Sequence, residues 1–170
     1  EMTAPDSNRL LALEDFFIDY GKQDRATNEY VSGLRVPSGT APHFRAYKIS
    51  KRFDQDISAV MGAFNITVSA KRITSARLAF GGMAATPKRA AQAEACLVDK
   101  LVSMDSFVAA AAALEADFNP IDDMRASADY RMQVAQNLLI KYAMDMTGTP
   151  VPHLVGTSGK LGIADLLEAG

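Results

Sequence analysis

Hydrophobic and polar positions divide the chain into a strand-rich first half and a helical second half. Leu10 to Tyr20 (LLALEDFFIDY) is apolar and aromatic, and its propensities permit a helix or a strand, closed by a turn at Tyr20-Gly21-Lys22. Glu29 to Val36 sets Tyr30, Ser32 and Leu34 against Val31, Gly33 and Arg35, the period-two signature of a strand, ended by Pro37-Ser38-Gly39. Phe44 to Ile49 alternates in the same way, with Phe44, Ala46 and Lys48 on one face and Arg45, Tyr47 and Ile49 on the other. Lys51 to Asp56 is polar and reads as a loop. Ile57 to Val68 is apolar, with alternation over Phe64, Ile66 and Val68 and an irregularity expected at Gly62. Ile73 to Met83 is a further strand running into the Gly81-Gly82 turn.

The period then changes. Thr86 is placed as an N-cap with Pro87 at the first helical position, where a missing N–H costs nothing, so Lys88 to Leu101 is expected to be helical. Met104 to Ala116 predicts a second helix, with Asp105 as its cap. Ser127 caps a third, in which Tyr130, Val134, Leu138 and Tyr142 recur every fourth residue and are read as core. Three strands followed by three helices predict an α+β fold: a three-stranded antiparallel sheet packed against three helices. After Met146 the composition loosens to Thr-Gly-Thr-Pro-Val-Pro, a linker or tail in which Ile163 to Ala169 forms a short helix.

Composition narrows the function classes. The chain has 170 residues, 48% of them hydrophobic, enough for one domain with a core. Its net charge of -2, with both signs interspersed, leaves no basic footprint for nucleic acid. No apolar run reaches the roughly 20 residues of a spanning helix, and no signal peptide is visible. A single cysteine, Cys96, excludes an internal disulfide and cannot alone hold a metal or an iron–sulfur cluster. A cytoplasmic setting follows as the expectation. The opening Glu1-Met2-Thr3, entering apolar sequence almost at once, is expected to be a truncated start.

Direct search finds no catalytic constellation and no metal ligands. His43 and His153 read as loop histidines. Ser158-Gly159-Lys160 lacks the flanking strand and first glycine of a phosphate loop. Gly81-Gly82 could cradle a phosphate through backbone N–H groups, although a plain strand-end turn is the simpler reading. Asp122-Asp123 read as solvated or capping, and Cys96 as an inert thiol. Arg125 suits a bidentate bond to a carboxylate, taken first as internal and otherwise as crossing a subunit boundary. Lys48, mid-strand among apolar residues, is either a solvated lysine or a point charge for the phosphates or ring edge of a nucleotide cofactor.

Three segments taken together carry a resemblance. FRAYKISKRFDQDISAV (Phe44 to Val60), ARLAFGGMAATPKRA (Ala76 to Ala90) and DFNPIDDMRASADYRMQVAQNLL (Asp117 to Leu139) resemble, in this order, the last part of the flavin-carrying subunit or domain of the xanthine dehydrogenase family. LEDFFIDYGKQDRATNEYVSGLRVP is similar to the end of the FAD-binding portion proper, so the likeness runs from about Leu10 to Tyr142. Carbon monoxide dehydrogenase and quinoline-type flavoproteins share the architecture.

The resemblance implies a division into residues 1–40, a remnant of the FAD-binding domain; 41–146, an α+β domain like the CO dehydrogenase flavoprotein C-terminal domain; and 147–170, a linker or tail. It implies membership of a molybdenum hydroxylase in which electrons released by purine oxidation pass through iron–sulfur clusters to FAD and on to NAD. Lys48 and Val31 are the implied FAD contacts, and the loop from Ile49 to Asp56 would lie near the flavin ring. The implied partners are a molybdopterin-binding large subunit and an iron–sulfur domain, with homo-oligomerisation open and neither nucleic acid nor membrane expected. The family's Gly-rich FAD-phosphate segment, its cysteine clusters and its molybdopterin elements do not occur in this sequence. The chain alone is therefore expected to be inactive and not to retain FAD. The alternatives are a carbon monoxide or aromatic-heterocycle dehydrogenase flavoprotein, or a cofactor-free structural or interaction domain.

Overall fold

A computed structural model describes residues 1–39, 41–52 and 55–149. The expected helix from Ile163 to Ala169, His153 and the Ser158–Lys160 segment lie outside the described residues. The N-terminal part forms short strands β1 (Met2–Ala4) and β2 (Ser7–Arg9), one helical turn α1 (Leu13–Phe16), and strands β3 (Phe17–Asp19), β4 (Lys22–Gln23) and β5 (Tyr30–Val31). Leu10 to Tyr20 is thus a helical turn followed by a strand. Gly21, at φ +67°, makes the predicted turn in the β3–β4 hairpin. The strand expected over Glu29 to Val36 shortens to two residues, because its partner β1 offers pairs only at Met2 and Thr3; Ser32 N donates to Glu1 O at 3.0 Å and the partner strand ends there. Arg9 ties these pieces together through Glu29 Oε1 at 2.7 Å and Asp24 Oδ1 at 2.9 Å.

The main sheet follows: β6 (Arg45–Ile49), β7 (Val60–Ser69), β8 (Arg72–Gly81) and β9 (Lys88–Arg89), antiparallel in the order β6-β7-β8-β9. Alternation sends Tyr47, Phe64, Ile66, Ile73, Leu78 and Phe80 to one face, where they are buried. Gly62 is not the irregularity; the register shifts between Thr67 and Val68 instead. Gly62 serves packing, since a Cβ there would lie 2.4 Å from Cζ of the buried Phe64 ring. That ring stands 5.9, 5.1 and 5.5 Å from the rings of Tyr47, Phe80 and Tyr142, within the range of favourable aromatic pairs.

Helices α2 (Ala91–Leu97), α3 (Met104–Asp117) and α4 (Ala128–Thr147) cover this face. The predicted helix from Lys88 begins late. Lys88 and Arg89 pair with Phe80 and Ala79 as β9, and Ala90 N donates to Leu78 O at 2.8 Å, so the sheet edge takes the residues that Pro87 would have started as helix. The α2 terminus has no local side-chain cap. Its cap comes from the end of α3, where the Asp117 carboxylate accepts from Gln92 N at 2.9 Å and Ala93 N at 3.0 Å. The α3 cap is Ser103, not Asp105, which sits inside the first turn. Ser127 caps α4 as predicted, and Gly148 closes it in the left-handed conformation at φ +75°. The buried α4 face is Arg131, Ala135, Leu138, Leu139, Tyr142 and Ala143, whereas Tyr130 is exposed. A strict four-residue step drifts about 40° per step against the helix, so the predicted stripe slides off the core face at its N-terminal end.

Because Asp117 joins two helices, Asp117→Ala is expected to lower unfolding stability by about 1–2 kcal/mol in urea titrations, with Asp117→Asn recovering part of the loss.

Candidate functional site

Lys48 lies on the sheet face opposite the helices. It pairs with Met61, which pairs with Gly81, and the adjacent row is Ala46, Ala63, Ala79 and Arg89. This face is small-featured and mostly uncharged around Lys48, which is exposed and has no ion-pair partner among the described residues. The loop after β6 is pinned at its base: Ala59 N donates to Ile49 O at 2.8 Å. Within it Asp56 accepts from Arg52 N at 2.9 Å and Ile57 N at 3.0 Å, and the Arg52 amide is the main reason its carboxyl sits below the usual range. Lys51 Nζ donates to Met124 O at 2.8 Å, tying the loop to the α3–α4 connection.

The base of this loop meets a buried arginine. Arg131, 3% exposed, donates from Nη1 to Ala59 O at 2.5 Å and to Gly82 O at 2.9 Å, and from Nη2 to Asp123 Oδ1 at 2.6 Å. Four segments meet at one guanidinium: the start of β7, the turn after β8, the α3–α4 connection and α4 itself. Gly82 is required there twice over, by its φ of +80° and because a Cβ would lie 2.3 Å from Ala59 O. Asp123 also accepts from Arg125 N at 2.8 Å and pairs with Arg125 Nη1 at 3.0 Å. The Arg125 amide, with further help from Arg131, holds the Asp123 carboxyl well below the ordinary carboxylate range.

These contacts settle several sequence readings. Arg125 makes an internal bond to Asp123, through one guanidinium nitrogen and not the bidentate pair expected. Asp122 caps Ala128 N at 2.6 Å and Asp123 serves the arginines, so the pair is not an acid/base couple. Gly81-Gly82 is a strand end whose carbonyl, not its amides, meets a cation in this protein. His43 gives its backbone carbonyl to Tyr142 OH at 2.7 Å, and Cys96 packs partly buried against the core. Val31 lies in a different sheet from Lys48, half-exposed on the wall of an apolar cleft of about 420 Å³ with Met2, Leu34 and Val36. Val31 lines that cleft, and Lys48 does not. A separate cleft of about 380 Å³ opens beside Gly82, Arg125 and Arg131. No group of described residues could hold a metal ion, and no described helix is long and apolar enough to cross a membrane. Arg131 is the residue that pattern reading missed. Its signal was a charge on the same helical face as Ala135, Leu138 and Tyr142.

The architecture of one four-stranded antiparallel sheet backed by three helices defines a class. The family model of the CO dehydrogenase flavoprotein C-terminal domain matches residues 45–146, and the chain belongs to that family. Among particular relatives, it is 35% identical over 118 residues to xanthine dehydrogenase of Emericella nidulans, a match covering 67% of this chain and 9% of that protein. It is 27% identical over 139 residues to the carbon monoxide dehydrogenase medium chain of Afipia carboxidovorans, covering 82% of this chain and 48% of that one. In three dimensions it resembles carbon monoxide dehydrogenase from Hydrogenophaga pseudoflava with a TM-score of 0.76 at 26% identity, over 82% of this chain and 49% of that one. The chain thus spans about half the length of the medium-chain relatives and a small part of the fungal enzyme. It is a flavoprotein-type domain of an oxidoreductase family.

Gly82→Ala is expected to destabilise the fold by at least about 2 kcal/mol, from backbone strain and the carbonyl clash together, read as a lowered denaturation midpoint. Arg131→Met, which takes their charged donor from the Ala59 and Gly82 carbonyls and one of its bonds from the Asp123 carboxylate, is expected to cost about 3 kcal/mol. The depressed Asp123 carboxyl contributes stability that is complete above the unfolded carboxyl value, roughly 4, and lost as pH falls through the folded one. Asp123→Asn should therefore flatten the acid limb of the stability–pH curve.

Proposed function

We propose that this chain is the C-terminal part of the FAD-binding subunit of a xanthine dehydrogenase-type molybdenum hydroxylase, supporting electron transfer through FAD from iron–sulfur clusters to NAD during purine oxidation. In this reading residues 1–40 end the FAD-binding domain, 41–146 form the domain that buttresses it, and 147–170 are a tail. The observation that carries the reading is Lys48, an exposed lysine without an ion-pair partner among the described residues, on a sheet face with Ala46, Met61, Ala63, Ala79, Gly81 and Arg89. Small side chains let a planar ring approach the sheet closely. A lone ammonium beside the ring favours the electron-rich, reduced state of such a ring by simple Coulomb attraction. The residues present therefore fit a flavin ring.

FAD, when bound, supplies the two-electron redox chemistry. Lys48 would hold positive charge at the ring edge, and Val31 would supply an apolar contact from the other sheet. The loop with Lys51, Arg52 and Asp56 would bound access of the electron acceptor. The molybdopterin-binding subunit and iron–sulfur domain are the partners in this assignment. The structure of the Hydrogenophaga pseudoflava carbon monoxide dehydrogenase, which lacks the Mo-pyranopterin moiety of the molybdenum cofactor, supports a molybdenum-bearing partner. A second reading, a carbon monoxide or aromatic-heterocycle dehydrogenase subunit, is favoured by the medium-chain match over 82% of this chain.

Purified alone, the 170-residue chain is expected to carry no stoichiometric flavin absorbance, and a full flavin band would overturn the assignment as a supporting part. Assembled with an FAD-binding portion, Lys48→Met is expected to lower the flavin midpoint potential by roughly 30 mV. An unchanged potential would place Lys48 away from the ring.

A further inference from the structure

The cleft of about 380 Å³ beside Arg131 has a chemistry that the flavin reading does not use. Its apolar walls include Ile57, Ile121 and Ala84. Its polar lining is rich in donors. The one carboxylate, Asp123, is spent: Oδ1 accepts from Arg131 Nη2, Arg125 N and Ala126 N, and Oδ2 accepts from Arg125 Nη1. Arg125 gives Asp123 one guanidinium nitrogen and keeps the others. The loop after β8 belongs to no helix or strand, and its Ala84 and Ala85 amides have no acceptor among the described residues. Nε of the buried Arg131, whose side chain also lines the cleft, is without a partner. Two guanidiniums against one carboxylate leave the lining with one net positive charge.

Unspent donors, excess positive charge and an apolar wall in one cavity describe a site for an anion with a hydrophobic body. We infer that this cleft binds an organic anion, its carboxylate or phosphate head held by Arg125 and the loop amides and its apolar part against Ile57 and Ile121. The inference stands whether or not the flavin assignment does, since it uses neither Lys48 nor Val31.

The test is amide-resolved NMR of the whole chain, titrated separately with inorganic phosphate and with benzoate at constant ionic strength set with chloride. Saturable shifts are expected at residues 82–85 and 119–125. Saturation by phosphate supports a phosphate head, and saturation by benzoate supports a carboxylate with an apolar body. Arg125→Met should weaken the saturating probe at least about tenfold, the worth of one charge-assisted bond. Ala84→Asp changes an exposed wall position, leaves every bond around Arg131 in place, and should do the same, so it decides the matter should Arg125→Met misfold. Non-saturating shifts with both probes, or undiminished affinity in Ala84→Asp, would overturn the inference.

Discussion

The buried guanidinium of Arg131 is the constraint on which the ordering of the surrounding loops rests. A charge removed from water is tolerated only when hydrogen bonds and an opposite charge replace its hydration. Here the replacements are the Ala59 and Gly82 carbonyls and the Asp123 carboxylate, each from a different segment. Satisfying the arginine therefore dictates where three chain reversals lie. Gly82 has no side chain because the carbonyl it must approach occupies that space. Asp123 is doubly held, by Arg131 and by the Arg125 amide and guanidinium, so the α3–α4 connection is bound to the sheet as well as to its helices.

The layered core supplies a frame for that node. Phe64 contacts Tyr47, Phe80 and Tyr142, so rings from three strands and α4 meet around one side chain, with room provided by Gly62. Tyr47 OH donates to the Asp145 carboxylate near the end of α4, and Tyr142 OH reaches the His43 carbonyl just before β6. The edge strand is thus fastened to one helix at its middle and just before its start. Burial and the neighbouring carboxylate raise the Tyr47 hydroxyl far above its ordinary range, so it remains a donor. A fixed edge strand presents Lys48 on the opposite face in a defined register. Packing on one side of the sheet and cofactor chemistry proposed for the other are linked through this strand.

The match to the CO dehydrogenase flavoprotein C-terminal domain covers residues 45–146, which hold the main sheet and its three helices. Among the described residues, the features proposed to carry chemistry are one exposed lysine on the outer sheet face and a donor-rich cleft. The rest is devoted to holding short segments in place. Exposed apolar residues at Leu34 and Val36, beside the half-exposed Val31, lie in the part that precedes the matched domain. Their environment differs from the sealed core under the helices.

Period and local chemistry in the sequence determined the α+β class, the strands β6 to β8, the Ser127 cap and the turn at Gly21. Each is set by neighbours along the chain, through alternation of side chains or bonds within one turn. The three motif segments likewise held the family resemblance. Only the tertiary structure decided that Lys88-Arg89 completes the sheet, that Asp117 caps a helix from another helix, and that Tyr130 faces solvent while Arg131 is buried. Propensity treated Pro87 as a helix start because it could not register a β8 edge with room for two more residue pairs. It assigned no role to Arg131 because the partners that make burial of a charge tolerable lie 72, 49 and 8 residues away, and only folding brings them together.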